Sequence, residues 1–432
     1  MNTSMPRSDS IPGIGAIEPW LNALAIFILA TIFLSWDASR GVYVLLSLAA
    51  LVILIKLRPP MPRDFWLYAW PIIAYVGAAI LSVFFNEVTD SAINRIVSRF
   101  FLLLLAVPLA GLFCLGYDPK RNIWIGFAIG CIVLGLIAFV ETLILDVARA
   151  RGGYNAAVFG SIALAMTSIV IASYHRLSRM KFGKSLFAGA ILMGVCAMLL
   201  SGTRTSWIAG IAVLILAMNF YLDRYSLFRR ALITLGLIVV IGLAGSTLPI
   251  AQKRIEYMID YITPYVTDAE QPPLNSLSMR VELWKAGWQM GMQDKLFGYG
   301  PGITKRKIKN HVKQNPHLRV LMNLSHLHNQ FVQSFAMTGL VGLLSLLALF
   351  CCHFYLCIKY LGKRYIREVR CLALAGLLLL VIYLIKSIPG VPFFGKYYLM
   401  MYGLTSAIIF GSLFGALRES PGASATDGRQ DT

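Results

Sequence analysis

The chain has 432 residues, of which 58% are apolar and 14% charged, and its formal net charge is +19. Soluble domains carry roughly 45–50% apolar and about 25% charged residues, so the composition argues against a soluble enzyme and fits a chain solvated by lipid. The positive charge points to nucleic acid, anionic lipid or topogenic loops, and its distribution decides among them.

Residues 1–19 are polar and punctuated by Pro and Gly. The apolar run that follows lacks a basic leader and a small-residue cleavage site, so no removable signal peptide is expected. Apolar windows of about 17–25 residues predict twelve spans, near 20–35, 41–57, 64–85, 97–116, 122–145, 155–174, 185–200, 207–222, 231–249, 329–358, 370–386 and 397–417. The first two, separated by Trp36-Asp37-Ala38-Ser39-Arg40, read as a helical hairpin. Basic residues gather in alternate connections, at 56–63, 120–121, 176–184, 224–230 and 359–370, and outnumber those of the opposite short loops. By the positive-inside rule these connections and both termini are cytoplasmic, and nucleic acid is not required. The predicted organisation is 1–249, nine spans with short loops; 250–328, one long outer loop with amphipathic helices; 329–417, three spans; and 418–432, a disordered tail. Cys114, Cys131, Cys196, Cys351, Cys352, Cys357 and Cys371 fall in apolar runs or at their margins without a CxxC pair, which disfavours a disulfide framework or a thiolate zinc site.

A loop as long as 250–328 carries function more often than it merely closes a turn. Arginines on its side of the membrane stand against the topogenic bias. Arg151 lies in Arg149-Ala150-Arg151-Gly152-Gly153, Arg204 in Thr203-Arg204-Thr205-Ser206-Trp207, and Arg280 in Ser278-Met279-Arg280-Val281-Glu282. Guanidinium forks gathered at one surface suit bidentate phosphate or pyrophosphate binding; singly, each reads equally as a snorkelling or ion-paired residue. Leu277, Val281, Trp284 and Trp288 recur at helical spacing and predict an amphipathic helix on the membrane surface, with Trp at the interface. Lys305-Arg306-Lys307-Ile308-Lys309 reads as a solvated basic loop or as a contact to anionic headgroups. Glu141 is open between a functional intramembrane acid and an interhelical hydrogen-bonder.

His311, His317, His326 and His328 cluster before the tenth span. His326 and His328 do not share a helix face, and Asp268-Ala269-Glu270 is the only acidic pair at metal-binding spacing in the loop, so no metal site is expected. His328-Asn329 is followed by nine residues and then Gly339-Leu340-Val341-Gly342. On one continuous helix, eleven residues at about 100° each put Gly339 on the His328 face, about 16 Å deeper. Gly342 extends a small-residue stripe that lets another helix approach closely and fixes the imidazole. His328 then reads either as a general base or as a structural interface histidine.

The string His328-Asn329-x9-Gly339-x2-Gly342, with Arg204 in its Thr-Arg-Thr-Ser-Trp setting, Arg280 followed by Trp284, and Gly298-Tyr299-Gly300-Pro301-Gly302, resembles the O-antigen ligase family of Gram-negative bacteria. The resemblance implies an all-α polytopic, GT-C-like membrane protein of the bacterial inner membrane, with its active site facing the periplasm. The implied activity is an inverting glycosyltransferase of lipopolysaccharide biosynthesis, independent of metal, ATP or another cofactor. It would move O-antigen from undecaprenyl pyrophosphate to a sugar hydroxyl of lipid A–core. His328 matches the family's histidine proposed to deprotonate the acceptor, and Arg204 and Arg280 match its pyrophosphate-binding arginines. Arg151 is added from this chain's own pattern, and Asn329, Gly339 and Gly342 support the motif. Some family members carry an acid in the last outer loop, whereas Ser387–Lys396 has none. An O-antigen polymerase or protein-targeted oligosaccharyltransferase of the same superfamily remains an alternative. A transporter or flippase would place its polar residues nearer the bilayer midplane.

Overall fold

The computed structural model describes residues 36–86, 89–116, 123–246, 252 and 276–419. The predicted first span, the 120–121 connection, the Asp268/Glu270 pair and the tail after Glu419 lie outside these residues. The described chain is helical: α1 (Trp36–Leu57), α2 (Arg63–Phe84), α3 (Asp90–Leu115), α4 (Ile123–Ile144), α5 (Ala156–Ala172), α6 (Gly183–Leu200), α7 (Arg204–Tyr221), α8 (Leu227–Ser246), α9 (Ser276–Gln293), α10 (Thr304–Gln314), α11 (Gln330–Leu361), α12 (Arg367–Ser387) and α13 (Lys396–Glu419). Among the described residues, nine helices are long and apolar enough to cross a bilayer, and α5, with 17 residues, is a shorter apolar one. Within the described residues, each predicted window after the first falls on a helix. Trp36–Arg40, expected as a connection, is instead the first turn of α1: Asp37 lies at the helix start and pairs with Arg40 at i,i+3, 3.4 Å away.

Helix α13 is buried along its whole apolar window and packs on α3, α12 and α2. Large apolar side chains on the flanking helices are exposed, such as Leu45, Leu143, Leu192 and Leu232, as expected where the solvent is hydrocarbon. Small residues permit close helix approach: a Cβ on Gly194 of α6 would lie 2.1 Å from Thr167 Oγ1 of α5, and one on Gly135 of α4 would lie 2.6 Å from Met193 Cβ. Several buried polar groups find partners within the bundle. His353 bonds the Tyr402 hydroxyl at 2.7 Å and the Tyr68 carbonyl at 3.0 Å.

Helix α11 is not one rod. The Phe331 and Phe350 rings lie 6.2 Å apart, whereas nineteen residues of straight helix span about 28 Å. The chain reverses at Gly339 (φ 65°, ψ −163°), and an arm at 330–338 folds back along the arm at 340–361. The arms meet beside Ser82, near the end of α2, while Asp64 at the start of α2 pairs with Lys359 and Tyr360 at the far end of the long arm. This corrects the reading of Gly339 as a site of helix approach 11 residues below His328. Gly339 is the apex of the reversal, and the segment at His328 is carried back along α2, where Gln330 Nε2 donates to the Tyr75 hydroxyl at 3.1 Å. A Cβ there would lie 2.1 Å from the Leu296 carbonyl oxygen, at a φ that L-residues rarely adopt. Gly342 likewise leaves room for Thr338, whose Oγ1 would lie 1.8 Å from a Cβ, rather than for another helix.

The reversal leaves terminal helix groups to be paired inside the protein. Residues 295–300 of the long loop supply the partners. Tyr299 and Gly300 N–H donate to the Ala336 and Met337 carbonyls at 3.0 and 2.9 Å, and Leu340 and Val341 N–H donate to Lys295 and Leu296 at 2.7 and 3.3 Å. Ser82 Oγ donates to the Met337 and Phe297 carbonyls. Gly298 (φ 65°) permits the approach, since a Cβ would lie 2.5 Å from the Met337 carbonyl carbon. The Gly298-Tyr299-Gly300 motif is therefore a main-chain clamp on a broken helix.

Candidate functional site

His328 enters the site by local backbone geometry. Its φ is 52°, in the left-handed region, and Asn329 follows as the N-cap of the short arm, its Oδ1 accepting from Phe331 and Val332 N–H at 2.9 and 3.1 Å. The His328 carbonyl accepts from Trp284 Nε1 of α9 at 3.2 Å, and the Pro389 carbonyl beyond α12 lies where it favours a protonated ring nitrogen. A neutral imidazole has one nitrogen as donor and the other as acceptor. Burial, the adjacent His326 and Arg280 together push the His328 pKa down to about 4.

Helix α9 carries Arg280 to this point, and it packs on the bundle through a face other than the one expected to meet the membrane. Leu283, Ala286 and Met290 pack inward, whereas Val281 and Trp288 remain 37% and 53% exposed. The helix therefore lies against α11, not only on a lipid surface; Trp288 meets Phe335 of the short arm at 4.9 Å. The basic run 305–309 forms the start of α10, which buries Ile308 and Val312 and leaves Lys305, Arg306 and Lys309 exposed. The Tyr299 hydroxyl donates to Thr304 Oγ1 at 3.0 Å, which ties α10 to the clamp; burial pushes that phenol up to about 12.

Two groups of cations flank the imidazoles. On one side, Arg280 acts electrostatically on both His328 and Lys386. Lys386, 6% exposed at the end of α12, donates to Thr205 Oγ1 at 2.6 Å, and Arg204 stands beside Thr205 as the first residue of α7. On the other side, Arg95 and Arg99 act on His326, whose pKa is lowered first by burial and then by these two charges. The His326 and His328 rings are 4.1 Å apart and bridge the groups.

Arg151 is not drawn into this arrangement. Its side chain is exposed, and its contacts run through its main chain: its N–H donates to Glu141 at 2.6 Å and its carbonyl accepts from Tyr154 at 2.8 Å. Glu141 also accepts from Gly152 and Gly153 N–H, so the carboxylate caps a loop rather than a neighbouring helix. Arg149 anchors the same loop, donating to the Ser201 carbonyl at 2.9 Å. Sequence reasoning missed Arg95, Arg99 and Lys386. The signal was present: two arginines four apart at the outer end of the 97–116 span defy the same charge bias that singled out Arg280. Among the described residues no group of three His, Cys, Asp or Glu side chains is placed to hold a metal ion.

Together these features define a polytopic all-α membrane protein with an imidazole pair set among cations at one rim of its bundle. Residues 188–347 match the family model described as O-antigen ligase, and the similarity to that family of glycosyltransferase-like membrane enzymes is shown over this segment. The match contains Arg204, Arg280, His328, Gly339 and Gly342. The chain is also 24% identical over 284 residues to an uncharacterized protein of Haemophilus influenzae, covering 65% of this chain and 70% of that one.

Proposed function

We propose that this protein is an O-antigen ligase: an inverting glycosyltransferase that moves O-antigen from undecaprenyl pyrophosphate to a sugar hydroxyl of lipid A–core, at the periplasmic face of the inner membrane. The observation that carries the reading is the placement of His328, held through its carbonyl by Trp284 of the helix that bears Arg280, with its ring 4.1 Å from that of His326. The acceptor nitrogen of the neutral ring takes the proton of the acceptor hydroxyl as its oxygen attacks the anomeric carbon. The bond from that carbon to the pyrophosphate oxygen breaks on the opposite face, and negative charge develops on the leaving group. Arg280 and Arg204, with Lys386, meet that charge.

Burial is the main cause that lowers the His328 pKa, and a bound diphosphate would offset only the smaller Arg280 contribution. Arg151 is proposed only as a peripheral contact to the donor's outer sugars or to headgroups. Asn329 positions the imidazole by capping the arm, and Gly339 and Gly342 shape the reversal that returns it.

The test is product formation by the full chain in nanodiscs supplied with both lipid substrates. Transfer abolished by His328→Ala supports the ligase. Extension of the polyprenyl-linked glycan in place of transfer to lipid A–core identifies a polymerase instead, and movement of substrate without bond formation identifies a transporter.

A further inference from the structure

The cations on the far side of the imidazole pair take no part in the donor contacts just described. Arg95 and Arg99 project from α3 where it passes through a π-turn, Ile96–Phe100, a local widening that recurs at functional sites. The turn brings both guanidiniums over a single ring: their Cζ atoms lie 4.2 and 5.0 Å from the Phe394 centroid. Arg99 donates to the Phe394 carbonyl at 2.8 Å, while Arg95 Nη1 is buried with no hydrogen-bond partner among the described residues. Two like charges held against one aromatic ring repel each other, and no described carboxylate forms an ion pair with either. An anion between them would relieve the repulsion and satisfy the buried N–H.

The position of the pair indicates whose anion it is. The electrostatic neighbours run Arg280, His328, His326, then Arg99 and Arg95. In an in-line displacement the leaving group and the attacking hydroxyl lie on opposite sides of the reacting carbon. With the donor diphosphate on the Arg280 side, the Arg95 side belongs to the acceptor. We infer that Arg95 and Arg99, stacked on Phe394 beside His326, form a second anion subsite that binds a phosphate carried by the membrane-anchored acceptor glycan. The assignment to the acceptor rests on the donor reading above, and the subsite selects acceptors by charge as well as by the hydroxyl they present.

Equilibrium binding to the full chain in nanodiscs tests this with three probes: lipid A–core, the same lipid with its saccharide phosphates removed, and an undecaprenyl-diphosphate-linked glycan. Arg95→Gln, which removes the unpartnered N–H and leaves the Arg99 bond to Phe394, should weaken lipid A–core about tenfold, as for one charge-assisted hydrogen bond. The dephosphorylated lipid should bind wild type and variant alike. If the acceptor is instead a second polyprenyl diphosphate, the variant loses the weaker of two undecaprenyl sites, which also supports the subsite. Unchanged binding of every probe, or loss of a single undecaprenyl site, overturns it. Arg280→Gln is the control for the donor reading. If it leaves undecaprenyl binding intact while Arg95→Gln behaves as expected, the donor assignment fails and the anion subsite stands.

Discussion

The Asp64 rim of the bundle and the immediate surroundings of the imidazoles treat charge in opposite ways. At the Asp64 end, basic residues meet acids: Lys359 and Tyr360 pair with Asp64, Lys363 and Arg370 with Asp223 at 3.4 and 3.7 Å, and Arg176 with Glu368 at 3.7 Å. At the His328 end, Lys386 meets a hydroxyl, Arg99 a carbonyl, and Arg95 and Arg99 an aromatic face. Glu141 of the α4–α5 corner is engaged by main-chain N–H groups. Cations paired with acids hold a structure together. Cations kept with neutral partners retain their field for a ligand.

Substitutions at the two rims should therefore separate catalysis from stability. The largest effect expected is from His328→Ala, a loss of transfer of about 10²–10⁴-fold, the range for a general base, with the thermal midpoint little changed. Arg280→Lys keeps the charge but removes the fork, and should cost about tenfold or more in kcat/KM for the donor. Gly339→Ala imposes a left-handed φ on an L-residue and drives a Cβ into the Leu296 carbonyl. Strain of about 1–3 kcal/mol from φ alone, plus the clash, should appear as a lowered melting temperature and reduced activity together. Asp64→Asn should lower the melting temperature while leaving kcat within about twofold, since a half-buried pair is weakened far from the site; an activity loss exceeding the stability loss would erase the contrast between the rims.

The smallest effect concerns pH. His328 titrates near 4 in the folded protein against 6.5 ordinarily, so the unfolded chain binds this proton first. The contribution of this residue to stability is present above 6.5 and is lost as pH falls through about 4. The acid limb of activity should accordingly lie well below that of an exposed imidazole. Arg280→Gln removes a like charge and should move the limb upward, though modestly, because burial is the larger cause of the shift. A downward movement would show that Arg280 does not act on the ring.

Much of this arrangement was legible in the sequence, and the exceptions have physical causes. Hydropathy located the helices because lipid demands long apolar runs, and the charge bias singled out Arg204 and Arg280. The reversal at Gly339 was missed because apolar periodicity looks alike in one long helix and in two arms joined by a glycine. The clue was length: the predicted 329–358 window exceeds the roughly 20 residues that a crossing needs. Arg95, Arg99 and Lys386 were hidden at the ends of apolar runs, where a single cation reads as an anchor. Which of them face the imidazoles depends on a π-turn and on a loop returning between α12 and α13, neither of which has a sequence period.

The clamp at residues 295–300 also sets an order of assembly. It precedes α11 in the chain, so its carbonyls and amides are already made when the reversal is synthesised, and the broken helix need never face hydrocarbon with open ends. A circular permutation moving the clamp after α11 would leave that helix waiting for its partner during insertion, even though the finished contacts would be the same.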